Sequence, residues 1–125
     1  TSEEISLYGV WGFGDNDVYI VGSHGTILHF DGNEEGEWKL MESGTEEYLL
    51  GVWGSSPSNI FAVGDNATVL HYDGNKWCSM DPKTDKYLTK VRGLGPNCVY
   101  AVGDDGLVIR FDGEKWNDMS LGEGS

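Results

Sequence analysis

One sequence pattern occurs three times and takes up nearly the whole chain. Its clearest copy, residues 50–77, reads LGVWGSSPSNIFAVGDNATVLHYDGNKW, and the other copies are residues 7–38 and 89–116. Three equivalent glycines repeat at spacings of 42 and 39 residues: Gly22, Gly64 and Gly103. A period near 40 residues indicates a repeat architecture, in which each copy forms one supersecondary unit that buries its apolar faces on its neighbours.

Each copy predicts four short β-strands joined by tight turns. The first strands are Leu7–Gly12, Leu49–Gly54 and Leu88–Gly93, and the second are Val18–Gly22, Ile60–Gly64 and Val99–Gly103. The third are Thr26–Asp31, Thr68–Asp73 and Leu107–Asp112, and the fourth are Trp38–Glu42, Trp77–Asp81 and Trp116–Ser120. In each copy an Asp-Gly pair lies at the end of the third strand. This pair favours a hairpin because glycine accepts the positive φ that the turn requires. The chain therefore reads as three four-stranded meanders, an all-β fold.

The predicted strands are apolar on both faces. In the third strands Ile27 and Val69 point to one side of the sheet, whereas Leu28 and Leu70 point to the other. A sheet that is apolar on both faces has to be covered on both, and stacked neighbouring sheets provide that cover.

The repeat resembles the blade of a large group of bacterial β-propellers, whose pattern is VWG-x-x-P-x-D-V-x-A-V-G-x-x-G-T-x-L-H-Y-D-G-x-x-W. The resemblance covers nearly the whole chain and implies a β-propeller with blades at about 6–47, 48–86 and 87–121. It also implies a non-enzymatic binding or scaffold module from a secreted, cell-surface or periplasmic bacterial protein. The S-x-D-x-G-x-x-W box of sialidase-type propellers is not present in that form.

Three blades are too few to close a ring, because propellers have typically four to eight. Two copies would supply six, so we expect a homodimer that forms a six-bladed ring. In a longer protein, further blades would cover the same faces. The rival folds are the β-trefoil and the β-prism, which share the pseudo-threefold repeat and are often lectins.

The net charge of −13, from 21 acidic and 8 basic side chains, argues against nucleic-acid partners and anionic membrane surfaces. No apolar stretch approaches the ~18 residues needed to span a bilayer, so we expect no membrane insertion. The chain has neither an initiator methionine nor an apolar leader, and we expect that its targeting segment has been removed.

The third copy departs from the other two at two positions, and both departures are arginines. Arg92 stands where the other copies have Trp11 and Trp53, and Arg110 stands where they have histidines. These are the only arginines in the chain. They are candidate residues for an anion or partner site; alternatively, their stems cover apolar surface while their heads pair with neighbouring acids.

The tryptophans offer a second functional interpretation. Trp11 and Trp53 could stack on sugars in a lectin-like propeller, and the tryptophans that open the fourth strands could do the same. Positions that recur in every copy more often serve the packing of the repeat. A glycan ligand therefore remains the alternative to a protein partner.

The sequence gives little evidence for a metal site or a catalytic site. His29 and His71 recur at one repeat position, which favours hydrogen bonds to backbone or to an Asp over metal binding. The acidic turns 15–17, 65–66 and 104–105 lack an EF-hand spacing, so calcium stays a minor alternative and no cofactor is expected. Cys78 and Cys98 occupy non-equivalent positions and are expected to be free thiols. No catalytic constellation is recognised, so no enzyme is expected.

Overall fold

The structure of the chain is a computed structural model that describes residues 5–32, 36, 38–82, 84–103 and 106–119. Within these residues the regular structure consists of β-strands and short 3-10 turns, which confirms the all-β prediction. No helix in this part of the chain has the length and apolarity needed to cross a membrane.

Twelve strands form three separate sheets. The first sheet contains β1 (Leu7–Gly14), β2 (Asp17–Gly22), β3 (Ile27–Phe30) and β4 (Lys39–Met41). The second contains β5 (Leu49–Ser56), β6 (Asn59–Gly64), β7 (Thr68–Tyr72) and β8 (Trp77–Ser79). The third contains β9 (Leu88–Gly95), β10 (Cys98–Gly103), β11 (Val108–Phe111) and β12 (Trp116–Asp118).

The sheets are arranged as propeller blades. Within each sheet the strands pair antiparallel in chain order, and the first strands of successive sheets pack side by side, β1 on β5 and β5 on β9. Four-stranded sheets set radially around their first strands are the blades of a propeller. The predicted fold of three four-stranded blades is therefore confirmed, and we call the sheets blade 1, blade 2 and blade 3.

The first and second strands are longer than predicted, because each pair continues to a two-residue turn. Gly14 pairs with Asp17, Ser56 with Asn59, and Gly95 with Cys98. The link between the first and second strands is thus the tip of a tight hairpin. Register shifts precede this tip in β1 and β5, which lets the hairpin twist away from the sheet.

The Asp-Gly turns between the third and fourth strands of blades 2 and 3 form as predicted. Gly74 has φ 96°, and the Asp73 carboxylate accepts the backbone N–H groups of Asn75 and Lys76 at 2.8 and 3.0 Å. These two hydrogen bonds hold the pKa of Asp73 below its usual range. Blade 3 repeats the arrangement at Asp112, whose pKa is lowered for the same reason.

Two hydrophobic clusters fill the spaces between blades, and each is shared by two neighbours. One joins blades 2 and 3 around Phe61 and Trp116, and the other joins blades 1 and 2 around Tyr19 and Trp77. The blades are therefore held together by their faces, as the apolar pattern on both sides of each strand predicts.

Some predictions fall on residues outside the described part of the chain. They concern the acidic turn at 104–105, the end of the last predicted strand at Ser120, and most of the turn that follows Asp31-Gly32 in the first copy. Cys78 and Cys98 lie within the described part of the chain, and both are free thiols as expected.

Candidate functional site

The interface between blades 2 and 3 is built from two facing rows of side chains that run across the strands. We call the row that points towards the next blade the following row, and the row that points towards the previous blade the preceding row. The following row of blade 2 consists of Trp53, Phe61, His71 and Cys78. The preceding row of blade 3 consists of Gly93, Val99, Phe111 and Trp116. The Phe61 ring lies 5.2 Å from Phe111 and meets Trp116 edge-on at 5.7 Å, so the rows interlock.

Blades 1 and 2 meet through the same pair of rows. The following row of blade 1 consists of Trp11, Tyr19, His29 and Lys39. The preceding row of blade 2 consists of Gly54, Ile60, Tyr72 and Trp77. Tyr19 is buried here, its ring 6.3 Å from that of Tyr72. Burial, followed by the nearby Asp17 and Tyr72, raises the pKa of Tyr19 to about 12, so its hydroxyl stays protonated.

The candidate tryptophans lie between blades. Trp53 is 7% exposed, and its indole covers Gly93, where an added Cβ would come within 2.3 Å of the ring. Trp11 is half-buried, 6.0 Å from the Trp53 ring, and its indole nitrogen is buried without a hydrogen-bond partner. Trp53 is too buried to act as a sugar platform, and the Trp11 ring packs edge-on against Phe13 at 6.1 Å. This placement favours packing over carbohydrate binding.

The two candidate arginines lie together on the uncovered side of blade 3. Arg92 and Arg110 both pair with Tyr100, one from each side, so all three belong to the following row. Arg92 is exposed, and its Nη1 donates to the Val91 carbonyl at 2.9 Å. A hydrogen bond to the Cys98 side chain raises the pKa of Arg110, which keeps its guanidinium charged.

The histidines are hydrogen-bonded, as the sequence predicts. His29 Nε2 lies 2.7 Å from an Asp17 carboxylate oxygen, and His71 Nε2 lies 2.6 Å from the Asn59 amide oxygen. Burial lowers the pKa of His71, so the ring is neutral at pH 7. Cys98 of blade 3 occupies the position of Asp17 and Asn59, and it partners Arg110 as they partner the histidines.

Open grooves that sequence reasoning missed surround the loop 42–46 between blades 1 and 2. Three open grooves meet there, with volumes of about 360, 560 and 470 Å³. The lining of the 560 Å³ groove combines apolar side chains with two lysines and the Glu42 carboxylate. Its lining includes Met41, Tyr72, Trp77, Lys39 and Lys76. The repeat pattern gives no signal for this site, because residues 43–46 lie beyond the predicted fourth strand of the first copy.

Hydrogen bonds to both blades shape the loop and its flank. The Gly25 N–H donates to the Glu47 carbonyl at 2.8 Å, and the Asn66 amide donates to the Glu47 carboxylate at 2.9 Å. The Glu47 N–H donates to the Thr45 hydroxyl at 3.1 Å. The grooves are therefore preformed between two anchored blades.

The described residues contain no group of three or more histidine, cysteine, aspartate or glutamate side chains that could hold a metal ion. Calcium at the acidic turns stays the minor alternative to the expectation of no cofactor.

Comparison with known proteins gives matches among solved structures. No protein-family model matches the chain, and no curated protein matches it. A structure of YCF48 bound to a D1 peptide superimposes with a TM-score of 0.73 at 18% identity, over 94% of this chain and 41% of that chain. YCF48 from Cyanidioschyzon merolae superimposes with a TM-score of 0.72 at 23% identity, over 95% of this chain and 38% of that chain.

These similarities concern the fold. YCF48 is a β-propeller protein, so the comparison agrees with the blade arrangement described above. The chain spans about two fifths of the length of these solved chains, 41% of the first and 38% of the second.

Proposed function

We propose that the protein is a non-enzymatic binding module that holds a peptide segment of a protein partner in the grooves around the loop 42–46. The observation that carries the proposal is the combination of a preformed groove with a propeller fold whose solved neighbour was captured with a peptide. The bacterial and extracytoplasmic setting implied by the repeat belongs to the same proposal.

The groove suits an extended peptide that carries both apolar and acidic side chains. Tyr72 and Met41 offer apolar contact, and the charged side chains of the lining are Lys39, Lys76 and Glu42. Lys39 is already engaged by the Asp31 carboxylate at 3.3 Å, so Lys76 is the better cation for an incoming carboxylate. In an otherwise acidic protein, this lysine would favour an acidic residue at one position of the peptide.

Lys76→Glu tests the groove, and Lys115→Glu is its matched control, because Lys115 holds the same repeat position in blade 3. Peptides selected on the wild-type protein from a random 12-residue phage library would be titrated against both variants. We expect K76E to weaken the selected peptides by about tenfold or more, and K115E to leave them within about twofold.

The position of the bound peptide gives a second readout. The indole N–H resonance of Trp77, which lies in the groove lining, should shift on titration, whereas that of Trp116 should not. If the library yields no binder, or if its binders ignore Lys76 and leave Trp77 unmoved, the proposed function is wrong.

The protein itself is proposed as a further partner, with a second copy completing a six-bladed ring. Its support is the apolar, uncovered surface at both ends of the row of blades. The lectin alternative gains no such support, since Trp11 and Trp53 pack between blades.

A further inference from the structure

The two ends of the row of blades expose positions that are buried in the middle. Val10 on the preceding side of blade 1 is 62% exposed, whereas the equivalent Val52 and Val91 are 2% and 1% exposed. On the following side of blade 3, Val102 is 37% exposed, whereas the equivalent Val21 is fully buried. Both end faces therefore carry the composition of a blade interface without a partner.

The preceding row of blade 1 already has the shape of the buried rows. Phe30 and Trp38 lie 5.4 Å apart at 41°, and the buried pair Phe111 and Trp116 lies 5.4 Å apart at 42°. Yet Trp38 is 42% exposed and Trp116 only 1%. Blade 1 thus presents a formed aromatic pair to which no described residue of another blade has docked.

A glycine next to that pair leaves a vacant position on the same face. In blade 3 the equivalent glycine, Gly93, lies under the indole of Trp53. At Gly12 an added Cβ would meet only residues of its own hairpin, the nearest being Val18 at 3.4 Å. The position is open to a long side chain that arrives from a following row.

The following row of blade 3 offers such side chains, and they are cationic. Arg92 in blade 3 is equivalent to Trp53 in blade 2, the residue that covers Gly93. Arg110 in blade 3 is equivalent to His71 in blade 2. Lys90 pairs with Val102 on the same face. Lys90 stands where blade 2 has Gly51. At Gly51 the next blade's backbone comes so close that an added Cβ would lie within 3.1 Å of it. Because Lys90 carries a side chain at this position, a neighbour docked on blade 3 would lie at a slightly wider spacing.

Charge distinguishes the two ends. Residues 1–47 contain eleven acidic side chains and one lysine, whereas residues 87–121 contain five acidic and four basic side chains. A contact between two copies of blade 1 would bring like charges together. A contact between blade 3 and blade 1 brings the cationic face to the acidic blade, and such charge complementarity sets orientation.

We infer that the cationic face of blade 3 seats blade 1 of a second copy head to tail, with Arg92 over the second copy's Gly12. Tyr100 holds the position from which Phe61 meets Phe111 and Trp116, so it would lie on the second copy's Phe30–Trp38 pair with Arg110 beside it. Guanidinium groups stack favourably on aromatic faces. Two such contacts close a two-fold ring. The inference rests on the ring completion proposed above and specifies its orientation and its residues.

Size-exclusion chromatography with light scattering measures the molar mass in solution and tests the inference first. The wild type should have twice the mass of one 13.7 kDa chain. R92E/R110E should raise the dimer dissociation constant by about 100-fold or more, because arginines at the centre of an interface dominate binding. The control K86E/K115E makes the same charge change outside this face and should alter the constant by less than about threefold.

Mixing two blocked variants then tests the orientation. V10E/G12E blocks the blade 1 face, R92E/R110E blocks the blade 3 face, and each alone should elute as a single chain. An equimolar mixture retains one intact contact and should recover a two-chain species. Should V10E/G12E lose its β-sheet circular dichroism, W38E replaces it as the blade 1 block.

Each failure has a separate meaning. A wild type of single-chain mass overturns both the ring and this inference. A dimeric wild type with a mixture that stays at single-chain mass overturns the head-to-tail orientation alone. Peptide binding is measured independently, so its failure leaves the dimer result standing.

Discussion

The closed interfaces and the open ends of this molecule use the same repeat positions with opposite burial. Leu49 and Leu88 are fully buried between blades, whereas Leu7 at the end of the row is 50% exposed. The local strand geometry is the same in each case. The difference teaches that repetition fixes which side chains a blade presents, while the presence of a neighbour decides whether they stabilise the fold.

The largest expected effect contrasts the equivalent tryptophans of a closed and an open face. Trp116→Ala should lower the free energy of unfolding by about 3–5 kcal/mol, because it removes a buried aromatic ring from the cluster of blades 2 and 3. Trp38→Ala should cost less than about 1 kcal/mol in the dissociated chain, since its ring is substantially exposed.

Urea unfolding of both substitutions in the R92E/R110E background would measure these costs without dimerisation. In the wild-type background, W38A should also lower the stability that dimerisation contributes, so its loss of unfolding free energy should grow with protein concentration. The loss caused by W116A should not depend on concentration. Equal costs in the dissociated chain would break the contrast between the two faces.

A second, smaller contrast uses the equivalent glycines of the two faces. Gly93→Ala should destabilise by about 1–3 kcal/mol, because its Cβ would collide with the Trp53 ring and force the blades apart. Gly12→Ala should be neutral or stabilising by a few tenths of a kcal/mol, since nothing of another blade lies near it and alanine restricts the unfolded chain. Thermal melts at low protein concentration compare the two, and a G12A loss as large as that of G93A would contradict the placement.

The sequence predicts much of the closed interface and little of the candidate site, for physical reasons. Alternation of apolar residues and the Asp-Gly turns are local signals, so strands such as Ile60–Gly64 can be read from them. The direction in which Trp53 points, towards the following blade, depends on the twist and stacking of whole sheets. The grooves around the loop 42–46 arise from how two blades diverge at their outer strands, which no local pattern encodes.

The arginines illustrate an intermediate case. Sequence comparison among the copies singles out Arg92 and Arg110, but it does not reveal that Tyr100 lies between them on one face. The register of three strands supplies that fact. Their role as ligand or partner residues stays a prediction.

The smallest expected effect is a pH dependence that separates the closed interface from the open end. Burial holds the pKa of His71 below its ordinary 6.5 in the folded chain, so the unfolded chain binds a proton first as the pH falls through that value. Stability contributed by neutral His71 should therefore be present at pH 7, fall below pH 6.5, and be fully lost once the pH lies below the lowered pKa. Arg110, at the equivalent position of the open end, stays charged throughout and contributes no such slope.

His71→Gln should flatten the decline in unfolding free energy between pH 7 and pH 5, measured by urea titration at low protein concentration. His24→Asn is the control, because His24 is exposed in a turn where the second copy carries Asn66 with nearly the same positive φ. The control should keep the wild-type slope. An unchanged slope in H71Q would mean that His71 is not held neutral by burial between blades 2 and 3, and the closed interface would then be more open to water than its rows indicate.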